Sequence, residues 1–156
     1  MQLDQGVKQF LKQPLMIIMG TADRAGRPSI GRAMGVFDSE MDGHLDPVFS
    51  IWQWPDTAGN IRDTGRLAVT LANPSSYASY QMKGKAWLQH AKPEDIARSD
   101  GYIEAIDAEL QRLGVPPKLT LPWLCNREPL VATLNVSEIY VQTPGPRAGM
   151  AAGHAQ

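Results

Sequence analysis

The apolar positions of this chain fall into short runs of two different periods, and their order outlines a fold. Leu3, Val7, Phe10 and Leu11 share one helical face, which predicts a short amphipathic helix stopped by Pro14. LMIIMGTA (15–22) is too short for a buried helix and reads as an inner strand. DRAGR (23–27) supplies a turn in which Gly26 can take positive φ, and PSIGRAMGVFD (28–38) returns as a second strand. After the polar loop SEMDGHLD (39–46), PVFSIW (47–52) reads as a third strand. A helix over 56–64 ends at Gly65, and RLAVTLAN (66–73) is a fourth strand.

YASYQMKGKAWLQHA (77–91) is long for a strand, and Gly84 within it predicts a bend or bulge. Pro93-Glu94-Asp95 then opens the clearest helix, with proline and acids in its first turn. Ile96, Ile103, Ile106, Leu110 and Leu113 follow at helical spacing, and Gly114 ends it. Residues 115–129 read as a loop and LVATLNVSEIYVQT (130–143) as the last strand. Consecutive antiparallel strands with few helices predict an α+β, mainly β, closed or partly closed barrel. One domain over 1–143 accounts for every periodic segment. The tail 144–156 is rich in Gly, Pro and Ala, which predicts a mobile end.

Composition narrows the partners. The 156 residues suit a single core, and a net charge of −1 from 15 basic and 16 acidic residues gives no clustered basic face. No nucleic acid and no membrane surface are therefore expected as partners. The apolar run LMIIM (15–19) is far short of the roughly 20 residues that span a bilayer. A single cysteine, Cys125, excludes an internal disulfide, and no signal-peptide layout opens the chain, so the expected location is the cytoplasm.

Candidate chemistry is sparse. The histidines at 44, 90 and 154 are far apart, none at zinc-ligand spacing, so no metal is expected. No nucleophile elbow, P-loop or dinucleotide fingerprint occurs. Cys125, after Pro122-Trp123-Leu124, reads as a small hydrophobe rather than a nucleophile. Any chemistry would come from a cofactor. The most suggestive stretch is FSIWQWPDTAGNIR (49–62), a strand running into a helix start, where free N–H groups can hold an anion. Asp56 reads there as the helix N-cap, which would occupy those N–H groups and repel phosphate. Trp52 and Trp54 alternate and would share one strand face.

GTADRAGRPSIGRAMGV (20–36), PVFSIWQWPDTAGNIRDTGRLAVTLANP (47–74) and YQMKGKAWL (80–88), in this order and spacing, resemble the pyridoxamine 5′-phosphate oxidase-like flavin-binding proteins. The resemblance runs across residues 10–143. It implies a six-stranded Greek-key split β-barrel that forms a homodimer, with FMN at the subunit interface. By the same resemblance Arg32 would meet the FMN phosphate, and Ala33 and Met34 would offer backbone to the ring. Ser50, Ile51 and Trp52 would follow the ribityl chain and phosphate, and Lys83 would contact the cofactor or the partner subunit. Asp56 and Thr57 stand where the family commonly places a basic pair, leaving Arg32 as the main cation with the Thr57 hydroxyl beside it.

Three functional readings stay open. One is an FMN-dependent oxidoreductase acting on a small molecule. Another is a non-catalytic split-barrel protein that holds haem, a deazaflavin or another ligand. A structural dimer with an empty groove is a third. No catalytic residue is assigned.

Overall fold

A computed structural model of the chain describes residues 1–152. The elements in order are α1 (Gln5–Leu11), β1 (Met16–Ala22), β2 (Pro28–Arg32), β3 (Val36–Asp38), β4 (His44–Ser50) and α2 (Pro55–Thr64). They continue with β5 (Arg66–Ala72), β6 (Ser79–His90), α3 (Pro93–Arg112), α4 (Pro117–Thr120) and β7 (Pro129–Val141). All strand pairings are antiparallel, in the order β2-β1-β5-β6-β7-β4-β3.

The sheet has seven strands, not the six expected. Residues 28–38 do not run as one strand. Arg32 still pairs with Ile18 of β1, whereas Val36 pairs with Pro47 of β4. Between them Gly35 takes φ 112°, in the region that favours glycine. The Met34 N–H donates to the Val48 carbonyl at 2.6 Å and the Val48 N–H to the Gly35 carbonyl at 3.0 Å. The two halves therefore form opposite edges of the sheet. Four Cα steps separate Arg32 from Val36, about 15 Å at most, so the edges cannot lie far apart and the sheet must curl.

Local sequence explains the other features. Gly26 at φ 81° closes the β1–β2 turn, where the Asp23 carboxylate accepts from the Ala25 and Arg27 N–H groups. The predicted bulge lies between Lys83 and Gly84, and a Cβ at Gly84 would come 1.8 Å from the Asn135 carbonyl oxygen. Residues 117–120, read as loop, form the single turn α4 behind a proline start. The strand expected at 47–52 begins earlier, at His44, and stops at Ser50.

The concave side of the sheet holds the core: Ile17, Met19, Phe49, Val69, Leu71, Met82 and Leu134 are all buried. α2 adds Ala58 and Ile61 to it, and α1 adds Val7 and Phe10. α3 lies over the 33–37 seam. There the Ser99 hydroxyl donates to the Met34 carbonyl at 2.7 Å and the Tyr102 hydroxyl to the Leu15 carbonyl at 2.6 Å.

After β7 the chain turns back. The Gly149 N–H donates to the Val141 carbonyl, the Val141 N–H to Met150, and the Ala152 N–H to Ile139. Residues 153–156, where the expected mobile end falls, lie outside the described residues. Among the described residues no helix is long and apolar enough to cross a membrane.

Candidate functional site

The junction between β4 and α2 is strapped to a distant loop. Ser50, fully buried, donates its hydroxyl to the Arg127 carbonyl at 2.5 Å and accepts the Gln53 N–H at 3.2 Å. The Ile51 N–H donates to the Glu128 carbonyl at 3.1 Å, and the Gln53 side-chain amide to the Pro122 carbonyl at 3.0 Å. Residues 50–53 and 122–128 thus form one unit at the mouth of α2. Residues 51–53 are a turn, so Trp52 and Trp54 do not share a strand face as expected. Trp52 is 53% exposed, while Trp54 is half-buried and ends the turn.

Asp56 is not the helix cap. The N-cap is Trp54, Pro55 takes the first helical position, and no side chain bonds the first turn. Proline at that position shifts Asp56 one place into the helix, where its exposed carboxylate lies at the positive end of the dipole without capping it. The N–H groups of the first turn are left without a side-chain acceptor. Beside them the Trp54 indole Nε1 and the Gln53 Oε1 are buried without partners.

Thr57 is 1% exposed and faces β2. A Cβ on Gly31 would come 2.5 Å from the Thr57 hydroxyl and 3.3 Å from Trp54 Cγ, so glycine is what lets α2 dock here.

Arg32 ends β2, half-buried, with its guanidinium 4.4 Å from the Trp123 ring centre. Among the described residues no carboxylate comes within 4.0 Å of it; the ion pairs are Arg27–Asp23, Arg98–Asp95 and Arg112–Glu109. Burial raises the pKa of the nearby Tyr102 hydroxyl well above its usual value, and the Arg32 charge opposes that shift. Arg127, exposed, stacks 4.5 Å from the Trp52 ring centre and also lacks a carboxylate partner among the described residues.

Ala33 and Met34 are buried at 0% and 1% exposure. Both backbone groups of Met34 are already engaged, by Val48 and Ser99.

Strand register fixes what lies on the convex face. Arg32, Ile18, Thr70, Gln81 and Tyr140 form one row across the sheet, and Ile30, Gly20, Ala68, Lys83 and Glu138 the next. The Lys83 ammonium sits 5.0 Å from the Tyr140 ring centre. A groove of about 550 Å³ runs over this face between Ile30 and Lys83. Ile30 is 65% exposed on it.

No family model and no curated protein sequence matches the chain. Solved structures do. HupZ of Group A Streptococcus is 18% identical at a TM-score of 0.58, covering 95% of this chain and 100% of that one. An F420 reductase is 14% identical at a TM-score of 0.56, covering 88% and 98%. A pyridoxamine 5′-phosphate oxidase-related, FMN-binding protein from Nostoc punctiforme is 14% identical at a TM-score of 0.52, covering 89% and 84%. The fold is the pyridoxamine 5′-phosphate oxidase-like split barrel.

On this split barrel the residues singled out from sequence divide into three groups, the first being Ala33 and Met34, buried in the 33–37 seam. Arg32, Ser50, Ile51, Trp52 and Thr57 belong to β2, the β4 end and the start of α2, elements that meet around the helix mouth. Lys83 lies three strands away from Arg32, on the order of 14 Å across the sheet, and is not brought to that mouth within one chain. Sequence reasoning missed Trp123 and Arg127. Both sit in a segment with no hydrophobic period, which hydrogen bonds to Ser50, Ile51 and Gln53, and from Asn126 to α3, carry to the site. Among the described residues no three of His, Cys, Asp and Glu gather into a metal-binding group.

Proposed function

We propose that this chain binds FMN as a homodimer, with the cofactor phosphate at the mouth of α2. The observation that carries this reading is Arg32: a half-buried cation with no carboxylate partner among the described residues, one position after the Gly31 that packs against Thr57 of a helix start that no side chain caps. A phosphate close to doubly charged needs charge-assisted donors, and a guanidinium with free helix N–H groups is such a set. The FMN-binding protein of the same fold supports the assignment. The convex face suits a second copy, since exposed Ile30 and the small residues Gly20 and Ala68 line an uncovered groove. Lys83, remote from Arg32 within one chain, would then belong to the partner side of the interface.

Bound flavin supplies hydride or electron transfer to a small molecule. The chain's residues hold the phosphate through Arg32, shield that cation under Trp123 and fix the turn through Ser50.

A second reading is a non-catalytic holder of a deazaflavin or haem. Met34 favours haem, because its N–H and carbonyl are taken by Val48 and Ser99 and neither is free for a flavin or deazaflavin ring. The F420 reductase on this fold supports a deazaflavin as ligand, and with it the catalytic form of the reading. An absorbance scan of purified protein separates the readings: flavin bands support FMN, a Soret band supports haem, and a deazaflavin band supports the F420-type ligand. A colourless protein that leaves added FMN fluorescence unchanged contradicts the first reading.

A further inference from the structure

A second cavity of about 480 Å³ lies between α1, the start of β1, β3 and α3. It includes none of the residues assigned to the α2 mouth or the convex groove. Its floor is apolar, with Leu15, Ile17 and Val36 buried beneath it. Its rim is cationic. Lys8 and Lys12 are one turn apart on the same face at the end of α1, and neither has a carboxylate within 4.0 Å among the described residues. Like charges at this spacing repel, so an anion between them relieves a standing cost. Arg98, also on the rim, is already engaged by Asp95 at 2.7 Å and lies 4.8 Å from the Phe37 ring centre. Asp38, on the β3 wall, directs an anionic head away from itself and toward α1.

Gly101 is an independent sign that this space is kept open. It lies in the middle of α3 in ordinary helical conformation and lines the cavity. A Cβ there would meet no atom within 4 Å. Glycine inside a helix lowers helix stability, and neither the backbone nor a neighbour calls for it here. A side chain added there would start in open space at the cavity's edge.

We infer that this cavity binds an amphipathic monocarboxylate, its hydrocarbon chain on the Leu15–Ile17–Val36 floor and its carboxylate between Lys8 and Lys12. The volume is in the range of small-molecule sites. The site stands independently of the FMN reading.

Titration calorimetry with octanoate on the full chain tests it, with octanol as the uncharged comparison. Wild-type protein should bind octanoate saturably and octanol at least about fivefold more weakly, and Lys8→Ala with Lys12→Ala should remove that difference. Gly101→Leu should abolish octanoate binding while its melting temperature stays level or rises. Failure of wild-type protein to bind octanoate, equal binding of octanol, or undiminished octanoate binding by folded Gly101→Leu would overturn the inference.

Discussion

The Arg32 guanidinium lies 4.4 Å from the centre of the Trp123 ring, and the two residues are 91 positions apart in the chain. A cation stacked on indole without a carboxylate is both shielded and available. Anything that binds its charge changes the environment of that indole. FMN or inorganic phosphate should therefore shift Trp123 emission, and Trp123→Phe should remove that component of the change. Identical ligand-induced spectra in wild type and Trp123→Phe would separate Trp123 from the site.

Ile30 is the most exposed apolar side chain of the convex face, at 65%. If a second copy covers that face, Ile30→Asp buries a charge there and should convert the dimer to monomer at micromolar concentration by light scattering. A wild-type mass already equal to one chain would contradict the dimer.

Gly84 and Gly31 each hold a close approach that an added Cβ would disturb, to different degrees. At Gly84 a Cβ would come 1.8 Å from a backbone oxygen, which cannot swing aside as a side chain could. Gly84→Ala should cost on the order of 3 kcal/mol, seen as a lowered urea midpoint. Gly31→Ala meets the Thr57 hydroxyl instead, and should cost about 1–2 kcal/mol, partly restored by Thr57→Ala. Equal costs at both positions would show that the sheet adjusts more freely than its register implies.

Tyr102 gives a pH prediction. Burial raises its hydroxyl pKa in the folded protein above the unfolded value of 10.0, against a smaller lowering by Arg32. The unfolded chain therefore loses this proton first, and folding stability falls as pH rises above about 10. Below that value the contribution is fully present. Tyr102→Phe should flatten the alkaline loss, at a cost of about 0.5–1.5 kcal/mol near neutrality for the lost bond to Leu15. An unchanged alkaline slope would remove Tyr102 as its source.

Strand and helix order was legible because β1, β5, β6, β7 and α3 carry clean periods and turn signals. The bulge at Gly84 and the stop at Gly65 were readable from glycine alone. The break at 33–35 was not, since PSIGRAMGVFD reads as one extended run and nothing local says that its halves pair with different neighbours. Asp56 misled for a similar reason: an acid after proline resembles a cap, but proline at the first helical position moves the cap back to Trp54. Arg32 could be found as the one cation of its strand, whereas Arg127 and Trp123 reach the α2 mouth only through tertiary hydrogen bonds. Exposure on a convex face likewise depends on curl, which no single segment encodes.

The claim that Arg32 anchors a flavin phosphate at the α2 mouth is tested most directly by titrating FMN into wild type and Arg32→Ala while following flavin fluorescence. Saturable quenching in wild type, weakened in Arg32→Ala by about 1.5–3 kcal/mol with the melting temperature preserved, is the predicted result. No quenching in wild type, or equal affinity in the two proteins, would contradict it.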